Sequence, residues 1–157
     1  MPHLSKELGI EISIKRDDLT GGVLAGNKIR KLEYLLAEAK RKGATHVITC
    51  GGVQSNHCRA TAWAARKLGM QPVLILRTPN GNYSELPRSK GNVLLDLLVD
   101  ADIRLCDPDS YRKREAIFDD IEKELRSKGH KPFSVPEGGS NSLGSLGYVN
   151  AAFEIEE

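Results

Sequence analysis

The apolar positions change period several times along the chain. Ile10, Ile12 and Ile14 alternate with polar neighbours, which is the two-residue period of a half-buried strand. From position 28 the period lengthens. Ile29, Leu32, Leu36 and Ala39 recur at helical spacing, Asn27 offers an N-cap and Gly43 a stop, so a helix is predicted over about 28–42. The continuous run 46–50, closed by Gly51 and Gly52, predicts a buried strand. An alanine-rich helix over about 56–68 ends at Gly69, and 72–76 is a second apolar strand. Pro79, Asn80, Gly81 and Pro87 make 77–88 a loop. A short helix (92–99), a short strand (103–105) and one long amphipathic helix (about 111–127, with Phe118, Ile121 and Leu125 on one face) follow. The last elements are a strand over 132–135, a turn over 136–141 and a helix from about 146 to 157.

Strand–helix units with short apolar strands predict the α/β class: a three-layer arrangement, with a parallel sheet covered by helices on both faces. Ligands of such sheets bind beyond the carboxyl ends of the strands. The segment 51–56 lies at one such end.

Composition narrows the classes. The chain has 157 residues, 39% of them apolar, enough for one ordinary core. No run is long enough to cross a membrane as a helix, and the first residues have no signal-peptide pattern. A net charge of +2 argues against a nucleic-acid or membrane-surface specialist. Arg112, Lys113 and Arg114 are matched by Glu115, Asp119 and Asp120 and read as a solvated helix face. The three cysteines, Cys50, Cys58 and Cys106, lack metal-binding spacing and read as reduced thiols of an intracellular protein, cytoplasmic rather than organellar. No metal site is expected.

Two segments carry chemistry. Lys28 stands in Gly26-Asn27-Lys28-Ile29-Arg30-Lys31, at a helix start, where the macrodipole disfavours an ammonium. A lysine attacks an aldehyde only after losing its proton. Gly26 and Asn27 allow close backbone approach to a flat ligand. Taken alone, Lys28 is also consistent with a surface lysine, and Lys31 is its local competitor. The second segment, Gly51-Gly52-Val53-Gln54-Ser55-Asn56, turns from a strand into a helix and exposes N–H groups of the kind that bind carboxylates. A plain N-cap by Ser55 or Asn56 reads equally well from these residues. His57 fits either a contact residue or a packed helix position. Gly138–Asn141 is a further glycine turn after a strand.

Taken with Ile14-Lys15-Arg16-Asp17-Asp18, these strings resemble the D-cysteine desulfhydrase and 1-aminocyclopropane-1-carboxylate (ACC) deaminase family of pyridoxal-phosphate enzymes. Ala25 stands where that family often has glycine. Gln54-Ser55-Asn56 departs from the Ser-Gly-Asn loop of the cysteine synthase and threonine dehydratase relatives. The residues His57-Cys58-Arg59 lean towards the desulfhydrase branch.

The resemblance implies pyridoxal 5′-phosphate as cofactor, held through an imine by Lys28 and contacted by Asn27 and Asn56. It implies a catalytic role for Lys28 and Ser55, and substrate contacts from Gln54, Ser55, Asn56 and His57. The implied reaction is lysis of a small amino acid, foremost D-cysteine to pyruvate, ammonia and sulfide, with ACC deamination as the alternative. It further implies a homodimer for a full-length parent about twice this long, of which this chain is an N-terminal half. Residues 1–29 would belong to the large cofactor domain, 30–140 to a small α/β domain, and 141–157 to a return segment. The glycine-rich phosphate loop of the family is not found here. A truncated, non-catalytic binding fragment and an unrelated α/β ligand-binding domain therefore remain as rival readings.

Overall fold

The computed structural model describes residues 1–156. Its elements, in chain order, are α1 (Pro2–Leu8), α2 (Lys28–Arg41), β1 (His46–Gly52), α3 (Asn56–Lys67), β2 (Gln71–Arg77), α4 (Gly91–Leu98), β3 (Asp102–Cys106), α5 (Pro108–Arg112), α6 (Arg114–Ser127), β4 (Pro132–Ser134) and α7 (Ser142–Glu156). No helix among the described residues is long and apolar enough to cross a membrane.

The four strands form one parallel sheet in the order β3-β2-β1-β4. Alternate residues of the buried strands feed opposite faces. Val47, Leu74 and Leu76 meet α2, α3 and α4 through Leu32, Leu35, Leu36, Ala60, Cys58, Ala62 and Val93. Ile48, Cys50, Val73 and Ile75 meet α5 and α6 through Tyr111, Phe118, Ile121 and Leu125. The α/β class and the helices on both faces are thus as expected. The chain adds β2 and β3 on one side of β1, then returns to add β4 on the other. The order reverses between β1 and β4, and the crevice at the carboxyl ends of these two strands is where such a sheet binds ligands.

Four local expectations are corrected. Ile10, Ile12 and Ile14 do not form a strand. The segment has no ladder partner among the described residues, and Ile10 and Ile14 are 60% and 54% exposed. Alternation yields a strand only where another strand lies alongside to pair. This segment rests instead on α1, through the Met1 ammonium to the Ile12 carbonyl (2.8 Å) and the Ile12 N–H to Ser5 Oγ (3.0 Å). Asn27 precedes α2 but is itself helical (φ −56°, ψ −20°), and its side chain caps nothing. The long helix expected over 111–127 is two helices. Asp107 caps α5 by accepting from the Asp109 and Ser110 N–H groups, and Lys113 (φ −103°, ψ 27°) breaks the run before α6.

The last helix starts at Ser142, not near Leu146, because the Asn141 side chain accepts from the Gly144 N–H (2.8 Å). Glu157, the expected end of that helix, lies outside the described residues. Gly144 and Gly147 sit inside α7 for packing reasons. A Cβ on Gly147 would overlap the Arg30 carbonyl, and one on Gly144 the Gly139 carbonyl. Gly147 lets α7 lie directly on α2, and Gly144 lets it lie against the turn after β4.

Two buried ionisable groups set the pH response of this fold. Asp96, on α4, is 1% exposed, and neither carboxylate oxygen has a hydrogen-bond partner among the described residues. Burial pushes its pKa up to about 7, with Arg59 pulling the other way. His57 is also buried, and burial pushes its pKa down to about 4, helped by the Lys28 and Lys31 cations. Folded Asp96 keeps its proton up to about pH 7, while the unfolded carboxyl has released it. Its contribution to stability is therefore present in acid and lost as the pH rises through about 7. Folded His57 stays neutral below pH 6.5, where the unfolded imidazole takes up a proton. Its contribution is therefore present at neutral pH and lost as the pH falls towards about 4.

Two substitutions test this account. Gly147→Ala is expected to cost about 1–3 kcal/mol by forcing α7 off α2, read as a lower urea midpoint at unchanged slope. An unchanged midpoint would show that the approach is not tight. Asp96→Asn is expected to stabilise the protein more at pH 8 than at pH 5, the difference being roughly 2 kcal/mol. Equal gains at both pH values would mean that Asp96 does not titrate between them.

Candidate active site

The turn after β1 is built around Gly51. A Cβ there would sit 2.6 Å from Ser55 Oγ and 2.8 Å from Cys58 Sγ, so only glycine allows the chain to fold back this closely. The Ser55 N–H donates to the Gly52 carbonyl (2.9 Å), closing the turn. Ser55 is the N-cap of α3, its hydroxyl accepting from the Cys58 N–H at 3.2 Å. The capping reading of the sequence is thereby met. The hydroxyl proton itself stays available to donate. Asn56 is the first residue of α3 and is exposed.

Lys28 opens α2 on the opposite wall. It lines a cavity of about 220 Å³ together with Gly26, Asn27, Asn56 and Arg59. Arg59 ties the two walls, donating through Nη2 to the Ala25 carbonyl at 3.1 Å. The loop before α2 is anchored from behind. The Gly26 N–H donates to the Asp17 carbonyl (2.8 Å), and Arg30 Nε reaches both Asp17 oxygens at 2.9 Å. Arg30 also pairs with Glu154 of α7 (3.0 Å); with Lys15 it holds that carboxyl down at about 2.

The turn after β4 completes the crevice. Gly138 is in the left-handed region (φ +67°), and a Cβ on it would lie 3.5 Å from Lys28 Nζ. The absence of a side chain there leaves the amine its space. Lys31, the competing lysine, is already engaged: its Nζ donates to Ser140 Oγ at 3.0 Å. Burial, and then the charge of Lys28, lower its pKa.

Behind the β1 turn, Thr49 donates its one hydroxyl proton to the Val135 carbonyl (2.9 Å), so it accepts from His57 Nε2 at 2.8 Å. This sets the Nε2–H tautomer and leaves His57 Nδ1 buried without a partner. His57 thus packs under the loop and does not line the Lys28 cavity.

Gln54 is held from the side. Its Oε1 accepts from the Asn92 N–H at 2.6 Å, and Asn92 Nδ2 donates to the Gln54 carbonyl (2.8 Å) and to Asn56 Oδ1 (2.9 Å). A larger cavity of about 640 Å³ lies beyond the Glu137–Gly139 turn. It is lined by Arg114, paired with Glu137 at 3.6 Å, and contains no lysine.

The structure therefore brings Lys28, Asn27 and Asn56 into one cavity, with Ser55 adjoining in the chain, and sets Gln54 and His57 against its supports. Sequence reasoning missed Thr49 and Asn92. Neither lies in a recognisable string, and Asn92 is 36 positions from Asn56. Gly138 was visible as a turn glycine, but not as the residue that leaves room for Lys28.

The chain is similar to known proteins over its whole length. A family model described as pyridoxal-phosphate dependent enzyme matches residues 1–157. The bifunctional mitochondrial D-cysteine desulfhydrase/ACC deaminase of Arabidopsis thaliana is 50% identical over 95% of this chain and 38% of its own length. The D-cysteine desulfhydrase of Klebsiella pneumoniae is 45% identical over 100% of this chain and 47% of its own. A crystal structure described as an ACC deaminase homologue superposes with a TM-score of 0.87 at 46% identity, covering 99% of this chain and 46% of that one. The chain spans less than half the length of each of these relatives. With a match over its whole length, this chain belongs to the family of pyridoxal-phosphate-dependent enzymes.

Proposed function

We propose that the chain supplies the amine-bearing half of the active site of a pyridoxal-phosphate-dependent lyase, acting foremost on D-cysteine and yielding pyruvate, ammonia and sulfide. The observation that carries this reading is the placing of Lys28 Nζ beside Gly138, in one cavity with Asn56, at the carboxyl ends of β1 and β4. The donor set fits the aldehyde and ring end of the cofactor: a lysine amine, an amide N–H donor and a space where a Cβ would intrude. When bound, the cofactor supplies an electron sink for the pair left on the substrate α-carbon.

Lys28 Nζ would hold the cofactor covalently, and its amine is the first candidate to take the substrate α-proton. The Ser55 hydroxyl, with its own proton free, is the second candidate for that transfer. The Asn56 amide would donate to an oxygen of the cofactor ring. The N–H groups of the turn other than that of Ser55, which closes it, would bind the substrate carboxylate. Gln54 and His57 act on the substrate through the shape of this turn, which they brace from the side and from behind. In the D-cysteine reaction the C–S bond breaks with the electron pair leaving on sulfur, and water releases ammonia to give pyruvate. Ring-opening deamination of ACC is the second reading, favoured by the relative named for both activities.

In this proposal residues 1–29 and 141–157 belong with a further cofactor domain, and 30–140 form the small α/β domain. Exposed apolar side chains on both outer segments support that division: Ile10, Ile14, Phe153 and Ile155 are each more than half exposed.

Two outcomes are expected. Incubating the chain with pyridoxal phosphate, reducing with borohydride and mapping the adduct should label Lys28 stoichiometrically. Lys28→Ala should abolish that adduct, and Lys31→Ala should leave it. Scattered labelling of many lysines would show that no preformed site exists in this chain, the outcome that favours a non-catalytic binding fragment. Given D-cysteine and ACC in parallel, the protein carrying this chain should release sulfide faster than it consumes ACC. The reverse order would reassign the substrate.

A further inference from the structure

Asn92 stands in the first turn of α4, beside the Gln54–Asn56 turn. Its side-chain nitrogen points at two oxygens, the Gln54 main-chain carbonyl (2.8 Å) and Asn56 Oδ1 (2.9 Å). A main-chain carbonyl can only accept, so the end of Asn92 facing it must be the NH₂. The same NH₂ faces Asn56, so the Asn56 atom opposite it must be the amide oxygen. The chain of assignments is anchored on a backbone atom and leaves no freedom at either amide. The Asn56 NH₂ is then the end left for a ligand, and it has no partner among the described residues.

The backbone secures the same point. The Asn92 N–H donates to Gln54 Oε1 at 2.6 Å, and Gly91 (φ +64°) leaves just enough room, since a Cβ there would sit 2.5 Å from that oxygen. The start of α4 therefore grips Gln54 and Asn56 together from outside the cavity.

We propose that Asn92 is a positioning residue. It locks the Asn56 amide with its nitrogen presented to the Lys28 cavity, so that the turn offers a hydrogen-bond donor, not an acceptor, to an oxygen on a bound ring. This rests on the reading of Asn56 as the ring contact. Without the lock, the two ends of the Asn56 amide are nearly equivalent in shape, and rotation by half a turn would set oxygen against oxygen.

Three substitutions separate positioning from simple support. Asn92→Ala removes the lock. Asn92→Asp keeps the backbone N–H to Gln54 but places a carboxylate opposite Asn56 Oδ1, which drives the amide to flip. Asn56→Ala removes the group being positioned. In the full chain with ¹⁵N-labelled asparagine, the Asn56 side-chain amide should be rigid in the wild type, and its order parameter should fall below about 0.6 in Asn92→Ala. An Asn56 amide unchanged in that variant overturns the proposal.

Pyridoxal-phosphate affinity, followed by absorbance titration, should weaken about tenfold in Asn92→Asp and less in Asn92→Ala. In the Asn56→Ala background neither substitution should weaken it further. Losses of the same size in both backgrounds would show that Asn92 only supports the fold, and would overturn the proposal. If the wild-type chain binds no cofactor while the Asn56 amide is released in Asn92→Ala, the positioning stands and the cofactor reading fails. If the cofactor binds at Lys28 and the amide does not respond, the positioning fails and the cofactor reading stands.

Discussion

The close approach of Gly51 to Ser55 governs the rest of the site. With hydrogen in place of a side chain, β1 can end and α3 can begin within a few residues, packed so tightly that a methyl group would strike both Ser55 and Cys58. That turn brings Asn56 to the mouth of the crevice and puts the Ser55 hydroxyl on the Cys58 N–H in the first turn of α3. β1 can impose this because it is paired on both sides and its central residues are fully buried. The strand cannot slide, so the turn cannot either.

Around this rigid turn the charges are arranged asymmetrically. Lys28 and Lys31 lie one turn apart on α2, yet only Lys31 is tied by a hydrogen bond to the β4 turn. Burial, and then their positive charge, keep His57 neutral, so the imidazole under the loop acts as a fixed brace between Thr49 and α3. Asp96, on the same α4 that clamps the turn through Asn92, stays protonated well above the usual carboxylate range. The imidazole brace beneath the turn is thus a buried group held in its uncharged form, which costs less desolvation than burying an ion.

Much of the surface that this fold exposes is apolar along its outer segments. The 10–14 stretch and α7 carry isoleucine, leucine and phenylalanine outward, whereas the apolar residues of the sheet strands are mostly buried. The amine and the amide donor sit at the boundary between those two regions.

The sequence by itself determined the α/β class, the four strands of the sheet, and the Lys28 and Gln54-Ser55-Asn56 segments. Each of these is written in contiguous residues, where period, glycine stops and short strings reflect local geometry. Its local reading failed where the outcome depends on a distant neighbour. Ile10, Ile12 and Ile14 have strand periodicity but no strand to pair with among the described residues, and the last helix starts earlier than its period suggests because the Asn141 side chain caps it. Only the tertiary structure decided that Lys28 rather than Lys31 faces the cavity, that His57 lies beneath the turn, and that Asn92 fixes the orientation of Asn56. Those outcomes depend on side chains from separate elements meeting in space, and hydrogen-bond direction between such groups leaves no periodic trace along the chain.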